Sequence, residues 1–447
     1  MSQIKRPKYH ITAPSNWIND PNGIIKFHDK YHVFYQYHPF GLTWGPMHWG
    51  HVVSDDLYHW EHLPIALTPG DEFDKDGCFS GSSIIKDGRL YVIYTGYIYN
   101  EDPEKIIQQQ CLAYSDDGVR FIKEGLIIGK DNLPQEFASN DFRDPCVFQE
   151  DDKYVLLVAS RRINGRGNIL RYESKDLYHW EYISNILSSD SEGTMIECPD
   201  YIKELHLLTY CDQFAPINGY LNHNLHTCLW KVGNFKNNKF ESIRSGMLDY
   251  GFDFYAPQTI KGSNILIAWM NMWDRNNPSE KYGFAGSLTI PRKLEVIDNE
   301  LIQTPVLPQK LGFTKKLDNK YQEQVTIGVY KLELSNLTSF SLELRKGKEH
   351  FTSLKLINNE WVFDRSHSGE VITGKESDSD SLNQIRRMPY QNTKNHIIYV
   401  LFDEFSVELF IDGKSLTSLI YPDEQDNLFA LNVDCSDGVI TKYELEA

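Results

Sequence analysis

The chain has 447 residues, 41% of them hydrophobic and 13% aromatic, which is enough for two or three domains around a sizeable buried core. Forty-five Lys and Arg against 62 Asp and Glu leave a net charge of −17, scattered along the chain rather than blocked, and this argues against nucleic acid and against an anionic membrane surface as partners. The opening "MSQIKRPKYHITAPSNW" has no apolar leader segment and no run of eighteen apolar residues occurs, so the expectation is a soluble, cytoplasmic protein.

The first element in chain order is introduced by "NWINDPNG", residues 16–23. Asn-Asp-Pro-Asn-Gly suits a tight turn, with Asp20 restrained by Pro21 and Gly23 free to take positive φ. Asp20 also heads a run, "DPNGIIKFHDKYHVFYQY", that reads as a hairpin, and the same form returns four times. Asp76 heads "DGCFSGSSIIKDGRLYVIYTG", Asp144 heads "DPCVFQEDDKYVLLVAS", Glu197 heads "ECPDYIKELHLLTY" and Asp253 heads "DFYAPQTIKGSNILIAWM". Between these units a second motif recurs as "SDDLYHWEHL" from Ser54, "SDDGVRFIKE" from Ser115 and "SKDLYHWEYI" from Ser174. It reads as a Ser/Asp turn followed by an aromatic residue that anchors further strands, with Trp60 and Trp180 as core residues. Roughly four antiparallel strands per unit, repeated at 50 to 60 residues, is the pattern of a β-propeller blade. Residues 1–298 are therefore expected to form a five-bladed β-propeller whose strand-leading acids converge at one mouth.

After "SLTIPRKLEV" the repeat stops. Residues 299–324, with two Pro in "DNELIQTPVLPQKLGF", read as a linker. Short alternating runs such as "SFSLELRKG" and "HIIYVLFDEFSVELFIDGKSL" read as a C-terminal β-sandwich over 325–447. The fold class expected is all-β. Seven cysteines without a CxxC pair read as reduced buried thiols. "HNLH" at 223–226 is too weak to carry a metal, and neither a metal nor another cofactor is expected.

Hydrolysis of a glycosidic bond needs a carboxylate on one face of the sugar and a protonated acid on the other, which converging acids could supply. "WINDPNG", "FYQYHP", "WGPMHWGHVVSDDLYHWEHLPIAL", "FSGS", "QCLAYSDDG", "FRDP", "ECPD" and "LDYGFDFYAPQT" with "AWMNMW" resemble glycoside hydrolase family 32, the invertases, inulinases and bacterial sucrose-6-phosphate hydrolases. The resemblance runs from Trp17 to Leu294 and implies a five-bladed propeller joined to a β-sandwich. It implies Asp20 as the nucleophile of a retaining double displacement, Asp144 as transition-state stabiliser and Glu197 as general acid/base. Crowding by Asp20 and Asp144 should raise the pKa of Glu197. The same matching implies sugar contacts from Asn19, Gln36, Trp44, Phe79, Ser80, Asp253 and Trp273. Arg143 reads either as a counter-charge for Asp144 or as a fructose contact. Ile18 stands where Met is commoner in the family, and "VASRRINGRGN" departs from its usual wording. There Arg161, Arg162 and Arg166 form either a solvated loop or part of a leaving-group subsite able to hold a phosphate.

The expected activity is release of terminal non-reducing β-D-fructofuranosyl residues from sucrose, sucrose 6-phosphate or short fructo-oligosaccharides, with long inulin a poor substrate. A fructosyltransferase or a non-catalytic fructan-binding propeller stands as the alternative. The expected partner is a small carbohydrate, and a homo-oligomer is left open.

Overall fold

The computed structural model describes residues 5–163, 165–190, 195–374 and 383–444. The fold is all-β, and among these residues no helix is long and apolar enough to cross a membrane. Up to Pro305 the strands form five successive antiparallel meanders. Their first strands are Asn16–Phe27, Gly77–Lys86, Phe137–Glu150, Ile196–Ile202 and Tyr255–Thr259. These five pack against one another in cyclic order, the fifth against the first. A short strand from the fifth meander, Phe284–Ala285, pairs in parallel with Asn16 and Trp17, so the last sheet is stitched to the first.

Local chemistry makes the hairpins. Two-residue turns at His28–Asp29, Asp87–Gly88, Asn237–Asn238 and Asp298–Asn299 hold both residues at positive φ, the twist-compatible geometry that Asp, Asn and Gly accept most readily. The strands read as near-continuous apolar runs because both faces are covered. In Lys153–Arg162, Leu156 and Val158 pack with Ile93 and Leu112 of the second sheet, whereas Val155 and Leu157 pack with Leu208 and Tyr210 of the fourth. The recurring Ser/Asp motif braces the turn before the fourth strand in three sheets. Ser174 Oγ accepts the amides of Asp176 and Leu177, and Asp176 Oδ1 accepts those of Tyr178 and His179 at 2.8 and 2.9 Å. Trp180 is buried, and Trp60 is half-buried against the core.

The remaining residues form two six-stranded antiparallel sheets that share one core, including Tyr330, Leu332, Leu342, Trp361, Phe363 and Val400. The linker expectation for 299–324 is corrected. Glu300–Pro305 is the outer strand of the fifth meander, and Lys310–Lys316 and Lys320–Gln324 each complete one six-stranded sheet. These two edge strands are largely exposed, which is why their polar sequences carried no strand signal. Buried charge ties the two halves together. Arg292 is fully buried between Asp249 and Glu408, and His10 bridges Asp403 and Glu408, each at 2.9 Å.

Candidate active site

Besides a second slip elsewhere in the first and third strands, each of the five central strands slips register near the same end of the ring. The slips fall at Ile18/Pro21, Phe79/Gly81, Arg143/Cys146, Glu197/Asp200 and Tyr255/Gln258. A bulge bends its strand and re-aims the side chains beside it. Three of these bulges precede a proline and hold a non-glycine residue at positive φ: Asp144 at 61°, Cys198 at 49° and Ala256 at 47°. Strained backbone of this kind persists where the surroundings over-determine it.

The result is a pocket of about 400 Å³ whose wall includes Asp20, Asp144 and Glu197. All of Asn19, Gln36, Trp44, Phe79, Ser80, Arg143 and Trp273 also line it. Asp20 accepts from Asn19 Nδ2 at 3.0 Å and from Ser80 Oγ at 2.7 Å. Trp17 Nε1 in turn donates to Asn19 Oδ1 at 2.7 Å, fixing that amide. Asp144 accepts from the Cys198 amide at 3.0 Å. The Cys198 sulfur sits between the two aspartates, 3.7 Å from Asp20 Oδ2 and 3.5 Å from Asp144 Oδ2. Glu197 Oε1 accepts from Arg143 Nε at 3.1 Å and Nη2 at 2.8 Å, and its Oε2 accepts from the Tyr255 hydroxyl. Trp273 stacks on Trp17, and Phe79 on Tyr97 at 4.3 Å, while Trp44 stands edge-on to Phe79 and half-exposed.

Burial raises the Asp20 carboxyl above its ordinary pKa against the pull of the Ser80 and Asn19 donors. Burial, with the charges of Glu197 and Asp20 and against that of Arg143, lifts Asp144 to about 7. Burial works in the same direction on Glu197, but Arg143 and the Tyr255 hydroxyl overcome it and hold Glu197 below the usual carboxylate range. The expected rise of Glu197 is therefore corrected: crowding loads the proton onto Asp144, because the guanidinium is spent on Glu197. Arg143 bonds Glu197 and, at 2.9 Å, Asp141, rather than Asp144.

Two of the five strand-heading acids stay out of the pocket. Asp76 accepts the Tyr99 amide at 2.8 Å. Asp253, expected to touch sugar, is corrected. It is fully buried, with Arg275 at 3.0 Å on one oxygen and Arg365 at 2.6 Å and the Leu419 amide on the other. The second oxygen ties Asp253 to the other half of the molecule, and neither faces the pocket.

Arg161 Nε donates to Asp141 at 2.6 Å, Arg162 lies over the Phe137 ring, and Arg166 Nη1 reaches the Ser189 carbonyl at 3.5 Å. None of the three is among the described residues of the pocket wall. Sequence reading missed Gln108, Asp141, Gln213 and His226, which line the pocket, and Tyr255, which supports Glu197 from behind. Asp141 stands three residues before the RDP aspartate, the one nearby signal that could have marked it.

Residues 10–305 match the family description "Glycosyl hydrolases family 32 N-terminal domain", and residues 299–445 match "Glycosyl hydrolases family 32 C terminal". The chain is 36% identical to a sucrose-6-phosphate hydrolase of Zymomonas mobilis subsp. mobilis, covering 95% of this chain and 89% of that protein. It is 35% identical to a raffinose invertase of Escherichia coli, over 97% and 93% of the two chains. Among solved structures it resembles the sucrose-6-phosphate hydrolase from Lactobacillus gasseri with a TM-score of 0.89, at 25% identity, over 100% of this chain and 94% of that one. A Bombyx mori GH32 beta-fructofuranosidase mutant in complex with sucrose aligns with a TM-score of 0.82, at 28% identity, over 99% and 94%.

Proposed function

Because the chain belongs to glycoside hydrolase family 32 and is a β-fructofuranosidase, we propose that this pocket releases terminal β-D-fructofuranosyl residues from sucrose, sucrose 6-phosphate or short fructo-oligosaccharides, with retention of configuration. The observation that carries the reading is the set of three carboxylates on one pocket, each held differently: Asp20 by Ser80 and Asn19, Asp144 by the Cys198 amide, Glu197 by Arg143 and Tyr255. The five meanders read as the blades of a propeller, with the two six-stranded sheets as the accompanying β-sandwich. Compartment follows from the same reading: an enzyme related to sucrose-6-phosphate hydrolases works in the cytoplasm, where such a phosphorylated sugar is held.

Asp20, restrained by two donors, attacks the anomeric carbon of the fructosyl group. Glu197 gives a proton to the departing oxygen, and the fructosyl-enzyme is then opened by a water that Glu197 deprotonates. Asp144 accepts hydrogen bonds from fructose hydroxyls and opposes the positive charge developing on the ring. With Asp144 near 7 and Glu197 held low, the carboxylates share a proton at neutral pH and titrate as a coupled set. Substrate hydroxyls that engage Arg143 weaken its grip on Glu197 and let the proton move to the acid that needs it.

The test compares Asp20→Ala and Glu197→Gln on sucrose and on an aryl β-fructofuranoside whose leaving group needs little protonation. Asp20→Ala should lose both activities. Glu197→Gln should lose about 100-fold or more on sucrose and markedly less on the aryl substrate. Equal losses on both substrates for Glu197→Gln, or a first product of inverted configuration by NMR, would remove this mechanism.

A further inference from the structure

The second histidine of "HNLH" ended in the pocket wall, where among the described residues it is the one imidazole. The first histidine of that segment, His223, turns its Nε2 to the Gly219 carbonyl. His226 opens the strand His226–Lys236 and is 5% exposed. Its Nδ1 is 2.9 Å from the Leu225 carbonyl. A carbonyl oxygen only accepts, so Nδ1 carries the hydrogen and a neutral ring presents a bare lone pair at Nε2. Burial lowers the pKa of His226, which keeps the ring neutral at pH 7. Among the described residues Nε2 has no hydrogen-bond partner within the chain and is not sealed off from the pocket.

The ring cannot wander. The Phe214 ring meets it edge-on at 4.7 Å and 89°, and the Tyr255 ring lies 5.5 Å away. Tyr255 is the residue whose hydroxyl holds Glu197, so the imidazole stands on the general-acid side of the pocket. It shares the pocket wall with the carboxylate from which, on the reading above, the leaving group takes its proton.

We propose that His226 Nε2 accepts a hydrogen bond from a hydroxyl of the leaving-group sugar, making His226 a specificity residue for hydroxylated pyranose leaving groups. This rests on the β-fructofuranosidase reading above. A neutral nitrogen lone pair accepts from a hydroxyl and offers nothing to a phosphate oxygen, so the contact selects on the sugar ring and not on a phosphate attached to it.

The experiment measures kcat/KM of the wild type, His226→Phe and His226→Gln on sucrose and on phenyl β-D-fructofuranoside, whose leaving group has no hydroxyl beyond the scissile oxygen. His226→Phe should lose about tenfold or more on sucrose, as for one hydrogen bond, and less than about twofold on the phenyl substrate. His226→Gln, which keeps an acceptor, should recover part of the sucrose rate and guards against a misfolded Phe variant. Parallel losses on both substrates would reduce His226 to support for Tyr255 and Glu197, and unchanged rates on both would remove it from recognition; either overturns the proposal. A wild type inactive on both substrates would instead overturn the fructofuranosidase reading on which the proposal stands.

Discussion

Arg143 decides how charge is divided among the three carboxylates. It places two N–H groups on Glu197 and one on Asp141, and a carboxylate beside an arginine is lowered by roughly 1 to 3 pKa units. Arg143→Met removes those donors while keeping the length of the side chain. Glu197 and Asp144 should both titrate higher, since the same cation opposes the rise in each. A general acid must be protonated to act, so the alkaline limb of the kcat/KM profile belongs to it and should move to higher pH by about one unit, with kcat reduced. A profile recorded from pH 5 to 9 checks this. A limb that stays in place would mean that Arg143 does not hold Glu197 in the working enzyme.

At the scale of the element, the Ser/Asp turn is a repeated device with a repeated strain. The residue after the aspartate is left-handed in all three copies: Leu57 at φ 72°, Gly118 at 75° and Leu177 at 77°. Glycine accepts that backbone freely, whereas leucine does not. Both leucines are buried, so packing and the bonded turn hold a conformation that the side chain disfavours. Asp56 illustrates the bonding: its Oδ1 accepts the Tyr58 and His59 amides at 2.9 and 2.8 Å, and its Oδ2 meets His59 Nδ1 at 2.6 Å. Although burial acts the other way, these donors pull its pKa down to about 2. A carboxyl lowered on folding stabilises the fold above its unfolded pKa, near 3.9, and the benefit is lost as pH falls toward 2. Asp56→Ala should therefore cost about 1 kcal/mol near pH 7, the size of a lost cap, and distinctly less at pH 2.5. Urea unfolding at the two pH values measures the difference; a cost independent of pH would deny the carboxylate its role.

For the whole molecule, the junction of the halves rests on buried charge. His10 joins the N-terminal segment to Asp403 and Glu408, and Glu408 also holds Arg292. Burial alone would lower the pKa of His10, but its two carboxylate partners outweigh that and raise it to about 9. A histidine raised on folding stabilises fully below its unfolded pKa, near 6.5, and the contribution is lost as pH rises through the folded value. The melting temperature of the wild type should fall between pH 6.5 and 9 by more than that of His10→Gln. The variant itself should be less stable by about 3 kcal/mol at pH 6, as when one member of a buried pair is removed. Parallel pH dependence in the two proteins would show that the imidazolium is not the link.

The repeating units, the hairpin turns and the three acids were legible in the chain because each is written locally: Asp-Gly and Asn-Asn turns demand particular φ values, and a strand covered on both faces must be apolar throughout. Asp20, Asp144 and Glu197 stood out for the unusual company they keep. What the chain could not display was which equal-looking residue serves which neighbour. Asp253 opens a unit just as Asp20 does, yet two arginines distant in sequence claim its oxygens. Arg143 adjoins Asp144 in sequence, yet bonds Glu197 across the pocket. Residues 310–324 are polar because they sit at exposed sheet edges, and so resemble a linker. Strand pairing and backbone turns follow from short-range sterics and hydrogen bonds, whereas the division of protons and partners among buried charges depends on distances of a few ångströms between sheets, which only the assembled fold sets.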